Sequence, residues 1–169
     1  RPHDRICSLF DALDLDLLGL PGARLADGST IPGRKDLRLW CRRGEKSFHS
    51  CAVMWRLNSS TQVNPLHGLG SSRRMWVRLS CAKTNLAVAF VYMPVGLDPE
   101  SVRNWIEELH ALADDIDLIR SIFALNVVVH GDFNFQPPVL DGSVRVNRRK
   151  NAAWNEFMYR TQLVLLNQA

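Results

Sequence analysis

The sequence predicts an α/β (or α+β) layered fold, in which strands joined as hairpins form sheets and amphipathic helices cover them. Two observations support this class. Short runs of β-branched and aromatic residues are bounded by turn formers, and three stretches carry apolar residues at helical spacing. We expect strands at 15–20, 37–41, 51–57, 75–79, 86–93, 127–129 and 162–166, and helices at 4–13, 98–123 and 151–159.

The helix beginning at Asp98 is the most strongly indicated element. Asp98 is a capping acid, Pro99 suits the first helical position, and Glu100 places an acid in the first turn. The residues that follow keep one apolar face, so we expect a scaffold helix without chemistry of its own. Asp4 and Asn151 are expected to cap the first and last helices.

Turn formers delimit the strands. The strand at 15–20 should stop at Pro21 and Gly22, because both residues favour turns. The strands at 75–79 and 86–93 are separated by a short turn, which is typical of an antiparallel hairpin. Residues 26–35 and 58–72 are polar and contain glycine, so they are expected to be loops.

Composition indicates an ordinary globular chain. Of its 169 residues 46% are hydrophobic and 22% are charged, enough for a single domain over 1–169 with a core. No apolar run approaches the roughly 18 residues of a membrane span, so no membrane partner is expected. The net charge of +4 is compatible with a phosphate-bearing partner. Arginine pairs are most often solvated, but Arg73 and Arg74 are candidates for a substrate contact.

The four cysteines lack the paired spacing of a zinc site. Cys41, Cys51 and Cys81 lie in strand-like stretches, so we expect buried free thiols and a reducing, intracellular location.

One stretch carries candidate chemistry. Residues 127–129 are three valines that predict a short buried strand, and Gly131 then permits a tight turn or a close backbone approach. Asp132 and Asn134 follow at the strand end. By themselves these residues fit an ordinary Asx turn and a functional site about equally well.

Three stretches in order resemble a known family: Leu15–Leu25, Ala89–Pro94, which contains Tyr-Met-Pro, and Val128–Asn134, which contains Gly-Asp-Phe-Asn. Together they resemble the endonuclease/exonuclease/phosphatase superfamily, and most closely the apurinic-endonuclease-like domain of non-LTR (LINE-type) retrotransposons. No single motif is specific; their order and spacing over nearly the whole chain carry the resemblance.

The resemblance implies a four-layer sandwich and Mg²⁺-dependent cleavage of phosphodiester or phosphomonoester bonds, with DNA as a partner. Asp132 would orient or deprotonate the attacking water. Asn134 would hold a phosphate oxygen, and Tyr92 would sit at the scissile phosphate. Phosphoryl transfer depends on positioning and charge stabilisation, which these side chains can supply.

The sequence also departs from the family pattern. Pro21 and Gly22 stand where the family has Gln-Glu, whose glutamate is the main metal ligand, so no metal ligand is assigned. Val95 replaces a frequent asparagine, and the closing Ser-Asp-His segment would fall beyond Ala169. We therefore expect a sandwich lacking its last strands and a weak or inactive DNA endonuclease domain of retrotransposon origin, nuclear if it is a working nuclease.

Two alternatives remain. One is a non-catalytic structural or interaction subunit, with a protein partner over the open sheet edge. The other is a phosphatase or phosphodiesterase acting on a small phosphorylated ligand.

Overall fold

The computed structural model describes residues 2–23, 31–42, 50–135 and 147–166. Within these residues the chain forms helices and strands in mixed order, which confirms the α/β class. The helices are α1 (Pro2–Ala12), α2 (Pro99–Leu118), continued by a π-helical turn (Ile119–Phe123), and α3 (Arg148–Thr161). The strands are β1 (Leu17–Ala23), β2 (Leu37–Cys41), β3 (Ser50–Arg56), β4 (Gln62–Pro65), β5 (Arg74–Cys81), β6 (Thr84–Tyr92) and β7 (Asn126–Asp132).

Contacts between Cα atoms divide the chain into two compact units. The first unit is Arg1–Tyr92 with Leu125–Gly131, and the second is Met93–Ala124 with Asp132–Ala169. The single domain expected over 1–169 stays a prediction.

Two sheets build the first unit. The smaller sheet has the order β1-β3-β2 and the larger has the order β4-β5-β6-β7. The predicted hairpin is confirmed, since β5 pairs antiparallel with β6 from Arg74 opposite Val91 to Cys81 opposite Thr84. The sheets share an apolar core built from one face of β3, β5 and β6, consisting of Cys51, Val53, Met75, Val77, Val88 and Phe90.

Helix α1 covers the other face of the smaller sheet. Because successive strand residues point to opposite faces, Val53 of β3 enters the core between the sheets while Met54 faces α1. Met54 packs there with Phe10 and Cys7 of α1. The first unit therefore has three layers: one helix and two sheets.

Helix α2 organises the second unit, and its sequence signals are confirmed. Asp98 caps it, accepting hydrogen bonds from the backbone N–H of Glu100 at 3.1 Å and of Ser101 at 3.0 Å. The predicted apolar face is buried. Arg160 of α3 bridges to α2, with Nη2 donating to Asp114 and to Asp117, both at 2.6 Å.

Strand β1 differs from its prediction. It runs through Pro21 and Gly22 to Ala23, because its pairing with β3 shifts register between Leu20 and Ala23. Such a bulge in an edge strand tolerates a proline, whose missing N–H leaves no ladder bond unmade.

Other differences concern elements with weak local signals. Strand β4 was expected to be loop; it is short and polar and forms only by pairing with β5. The cap of α3 is Asn147 and not Asn151. The strand expected at 162–166 is absent, and Gln162 adopts a left-handed conformation that ends α3. The valines at 127–129 lie in a strand of alternating exposure instead of a buried one.

The burial predicted for the cysteines is confirmed for Cys41 and Cys51 and wrong for Cys81, which is exposed at the β5–β6 turn. Cys7 is buried as well, and none of the four forms a disulfide. In the described residues no helix is long and apolar enough to cross a membrane.

Gly19 offers a first test of the core. A Cβ on Gly19 would lie 1.9 Å from Cδ1 of Phe90, so β1 packs directly against that ring. We expect Gly19→Ala to lower the free energy of unfolding by about 1–3 kcal/mol, because the ring must shift. Urea unfolding would measure this. Gly68→Ala, where no atom lies within 4 Å of the added methyl, is the matched control. Adding Phe90→Leu to Gly19→Ala should recover part of the loss.

A cluster of ion pairs on the first unit, formed by Arg34 with Asp36 and Asp11, makes the stability of the protein depend on pH. Arg34 donates to Asp36 at 2.9 and 2.7 Å and to Asp11 at 2.7 and 3.0 Å. The hydrogen bond from Arg34 lowers the pKa of Asp36 to about 2, and Arg34 also lowers the pKa of Asp11. A carboxyl whose folded pKa is depressed stabilises the protein above its unfolded pKa, and this contribution is lost as pH falls through the folded pKa.

We therefore expect the Tm to fall as the pH is lowered from about 4 to about 2. Asp36→Asn should lower the Tm at neutral pH and make this acid decline shallower. Thermal melts across pH 2–7 would measure both. An equally steep decline in Asp36→Asn would show that Asp36 does not contribute to it.

Candidate functional site

Asp132 and Asn134 are held together in one turn of the second unit. Strand β7 ends at Asp132, and Asn134 adopts a left-handed conformation with φ of 47°. The backbone N–H of Asn134 donates to Oδ1 of Asp132 at 2.9 Å. Asparagine tolerates this conformation better than most residues. The strand end and the Asx turn, one of the two interpretations that the sequence left open, are both present.

Two hydrogen bonds with the Met93 backbone also hold this turn. The Met93 N–H donates to the backbone carbonyl of Asp132 at 2.9 Å, and Nδ2 of Asn134 donates to the Met93 carbonyl at 2.8 Å. One of the two amide hydrogens of the Asn134 side chain is therefore bonded to the backbone. The second amide hydrogen and Oδ2 of Asp132 form no hydrogen bond with any described residue. Asp132 is also exposed.

Aromatic side chains pack around the Asp132–Asn134 turn and hold it in place. Nε1 of Trp105 donates to the Phe133 carbonyl at 2.7 Å, between the two candidate residues. The Phe133 ring meets Trp154 edge-on at 5.2 Å between centroids, and Phe135 lies 5.2 Å from Trp105 and 5.6 Å from Trp154. Trp105 lies on the apolar face of α2, the helix for which the sequence predicted no chemistry. The signal that could have found the Trp105 role is that a buried indole N–H needs an acceptor.

Gly131 is required by a close backbone approach in the first unit. Its φ is 154°, and a Cβ at this position would lie 2.0 Å from the Val91 carbonyl oxygen of β6. This is the close approach that the sequence allowed. The neighbouring His130 is exposed and its ring meets Phe90 at 6.2 Å, so it behaves as an edge histidine.

Tyr92 ends β6 in the first unit. Its backbone N–H donates to the Arg73 carbonyl at 2.9 Å, and its carbonyl accepts from Nη1 of Arg73 at 3.5 Å. Gly22 lies beside its ring: a Cβ there would be 3.3 Å from Cε2 of Tyr92. The position that the resemblance gives to the metal-binding glutamate is thus next to the predicted catalytic tyrosine.

The two candidate substrate-binding arginines differ in environment. Arg73 is partly exposed, whereas Arg74 is 7% exposed within β5. Both assignments stay predictions, and burial favours Arg73 over Arg74 for contact with a ligand in solvent.

The position that the resemblance gives to the metal ligand, Gly22 in the first unit, does not fit a Mg²⁺ ion. Mg²⁺ is held through carboxylate oxygens and waters, and Gly22 offers no side chain. No group of three or more His, Cys, Asp and Glu residues in the described part of the chain is arranged to hold a metal. A glutamate at position 22 would also have to adopt a φ of 71°, which side chains rarely do.

No protein-family model matches the chain, and none of the curated proteins matches it. Solved structures do match. The chain is similar to the endonuclease domain of TRAS1, a telomere-specific non-LTR retrotransposon, with a TM-score of 0.67 and 10% identity; the match covers 99% of this chain and 68% of that one.

Two apurinic (AP) endonucleases are similar as well. AP endonuclease LMAP from Leishmania major has a TM-score of 0.66 and 11% identity, covering 91% of this chain and 60% of that one. An AP endonuclease from Archaeoglobus fulgidus has a TM-score of 0.61 and 16% identity, covering 93% and 65%.

The chain thus spans 60% to 68% of the length of these three structures. Identities this low are evidence of fold alone. The fold expected from the resemblance is confirmed: this chain has the fold of the endonuclease/exonuclease/phosphatase superfamily, to which these neighbours belong.

Proposed function

We propose that this chain is a phosphodiester-hydrolase domain of the DNA-endonuclease type, of retrotransposon origin, with weak or no activity of its own. The observation that carries the proposal is the Asp132–Asn134 turn, in which a carboxylate and an amide are ordered at a strand end by Met93 and Trp105. The likeness to the TRAS1 endonuclease domain over 99% of this chain supports the retrotransposon origin.

The chain's own residues define what the site would do. Oδ2 of Asp132 would accept a hydrogen bond from the attacking water and take its proton, since Oδ1 is already occupied by the Asn134 N–H. The second amide hydrogen of Asn134 would donate to a phosphate oxygen, because the first is held by the Met93 carbonyl. Tyr92 is assigned to the scissile phosphate by the resemblance, and Arg73 to substrate binding.

Weak activity follows from what stands at position 22. A metal ion stabilises the transition state of phosphoryl transfer by several kcal/mol, and the residue expected to bind it is glycine here. General acid–base help from Asp132 is typically worth only about 10²–10⁴-fold. That contribution alone would leave hydrolysis close to background.

A second candidate is a non-catalytic binding module, and Gly22 is the observation that favours it. The two candidates differ in their expected affinity for DNA: the nuclease-type domain should bind DNA with an affinity that depends on salt, and the non-catalytic module should not. A protein that neutralises phosphates releases counterions, so its affinity falls steeply with salt. Fluorescence anisotropy with labelled duplex DNA, repeated between 50 and 200 mM salt, would measure that dependence.

Plasmid nicking tests the main proposal. We expect the purified chain to leave supercoiled plasmid almost unnicked in the presence of Mg²⁺, because no metal ligand stands at position 22, and Asp132→Asn to remove any residual nicking because the base is lost. Agarose electrophoresis would follow the relaxed form over hours. Glu107→Gln, which neutralises an exposed carboxylate on α2, is the matched control and should nick at the wild-type rate.

Nicking that survives unchanged in Asp132→Asn would contradict the assigned role of that residue. Absence of both nicking and salt-dependent DNA binding would reject the nuclease-type proposal and leave the non-catalytic module.

A further inference from the structure

A buried cation lies in the first turn of α3. Lys150 is 2% exposed, and its Nζ lies 5.1 Å from the centroid of the Trp105 ring. It forms no ion pair with any described residue, and burial lowers the pKa of its ammonium group. The neighbouring Arg148 and Arg149 are exposed.

This placement is unfavourable for stability. An ammonium group loses hydration on burial, and the positive end of the α3 dipole repels it. A methionine would fill a similar volume without either cost. The charge therefore calls for an explanation other than packing, and the Trp105 ring is the group that it faces.

Trp105 connects this cation to the candidate site. One face of its ring meets Lys150, while its Nε1–H donates to the Phe133 carbonyl at 2.7 Å. A cation over an indole face is attracted by the π-electrons and draws electron density from the ring. The indole N–H thereby becomes a stronger donor to the carbonyl that lies between Asp132 and Asn134.

Trp105 also contacts the Phe135 ring: the two ring centroids lie 5.2 Å apart and the ring planes are tilted by 53°. Phe135 directly follows Asn134 in the chain. The indole thus contacts both Lys150 of α3 and a residue of the loop itself, and its N–H donates to the turn.

We propose that Lys150 is a positioning residue: its charge, acting through the Trp105 indole, orders the Asp132–Asn134 turn. The inference rests on the proposed function only in taking this turn as the site. Lys150 itself touches neither Asp132 nor Asn134 in the contacts described; it acts through Trp105.

Hydrogen exchange at the Asn134 backbone amide tests the inference, because this N–H is the one bonded to Asp132. We expect Lys150→Met to speed its exchange about thirtyfold, which corresponds to the roughly 2 kcal/mol of a desolvated cation–π contact, and Lys150→Arg to restore the wild-type rate. The Trp105 indole proton should move upfield in the NMR spectrum of Lys150→Met as its hydrogen bond weakens.

A double-mutant cycle separates this role from packing. Trp105→Phe keeps an aromatic face but removes the N–H, so it should also speed Asn134 exchange. In that background Lys150→Met should add nothing, since the donor through which the charge acts is gone. Arg149→Met removes a neighbouring exposed charge from the same turn and serves as the matched control, with unchanged exchange expected.

Several results would overturn the inference. Unchanged Asn134 exchange in Lys150→Met, or additive effects in the double mutant, would show that the charge does not act through Trp105. Loss of folding or a large drop in Tm for Lys150→Met would indicate a structural role, since removing a buried charge is expected to leave Tm unchanged or higher. None of these readouts requires catalysis, so they stand or fall independently of the plasmid assay.

Discussion

Burial of one apolar face between the two sheets of the first unit determines where the candidate residues of that unit lie. Gly19 of β1 packs directly against the Phe90 ring of β6, which leaves no room for a side chain between them. This tight fit anchors β1 against β6, so Gly22 further along β1 lies beside the Tyr92 ring at the end of β6. The contact that links the predicted metal position to the predicted catalytic tyrosine is therefore a consequence of core packing.

Two features of the second unit cost stability. Asn134 is in a left-handed conformation, and Lys150 is buried without a counter-ion among the described residues. Strain and buried polarity are retained where they hold reactive groups in place. Their concentration around one turn is physical support for treating Asp132 and Asn134 as a site.

The two units differ in what each supplies toward the proposed function. The turn keeps an acid and an amide, but the position beside Tyr92 offers no carboxylate, and its backbone conformation disfavours one. A phosphodiesterase can lose its metal ligand and keep its fold, because fold stability depends on the apolar core and the hydrogen-bonded strands while metal binding depends on one side chain. The fold found here is therefore compatible with a glycine at position 22.

Local patterns in the sequence determined the elements whose stability is local. The Asp98 cap, the buried face of α2, the β5–β6 hairpin and the turn at Asp132 all follow from neighbouring residues, because capping, helical spacing and Asx turns act over a few positions. The motif order also pointed to the superfamily fold.

Tertiary structure alone decided the features that depend on partners distant in the chain. Strand β1 continues through Pro21 because β3 accommodates a bulge there, and β4 exists because β5 supplies its hydrogen bonds. Likewise, only packing brings Lys150 onto Trp105, and with it a buried charge to the support of the turn at Asp132. No local pattern encodes such contacts, because they arise from elements that meet only when the whole unit has folded.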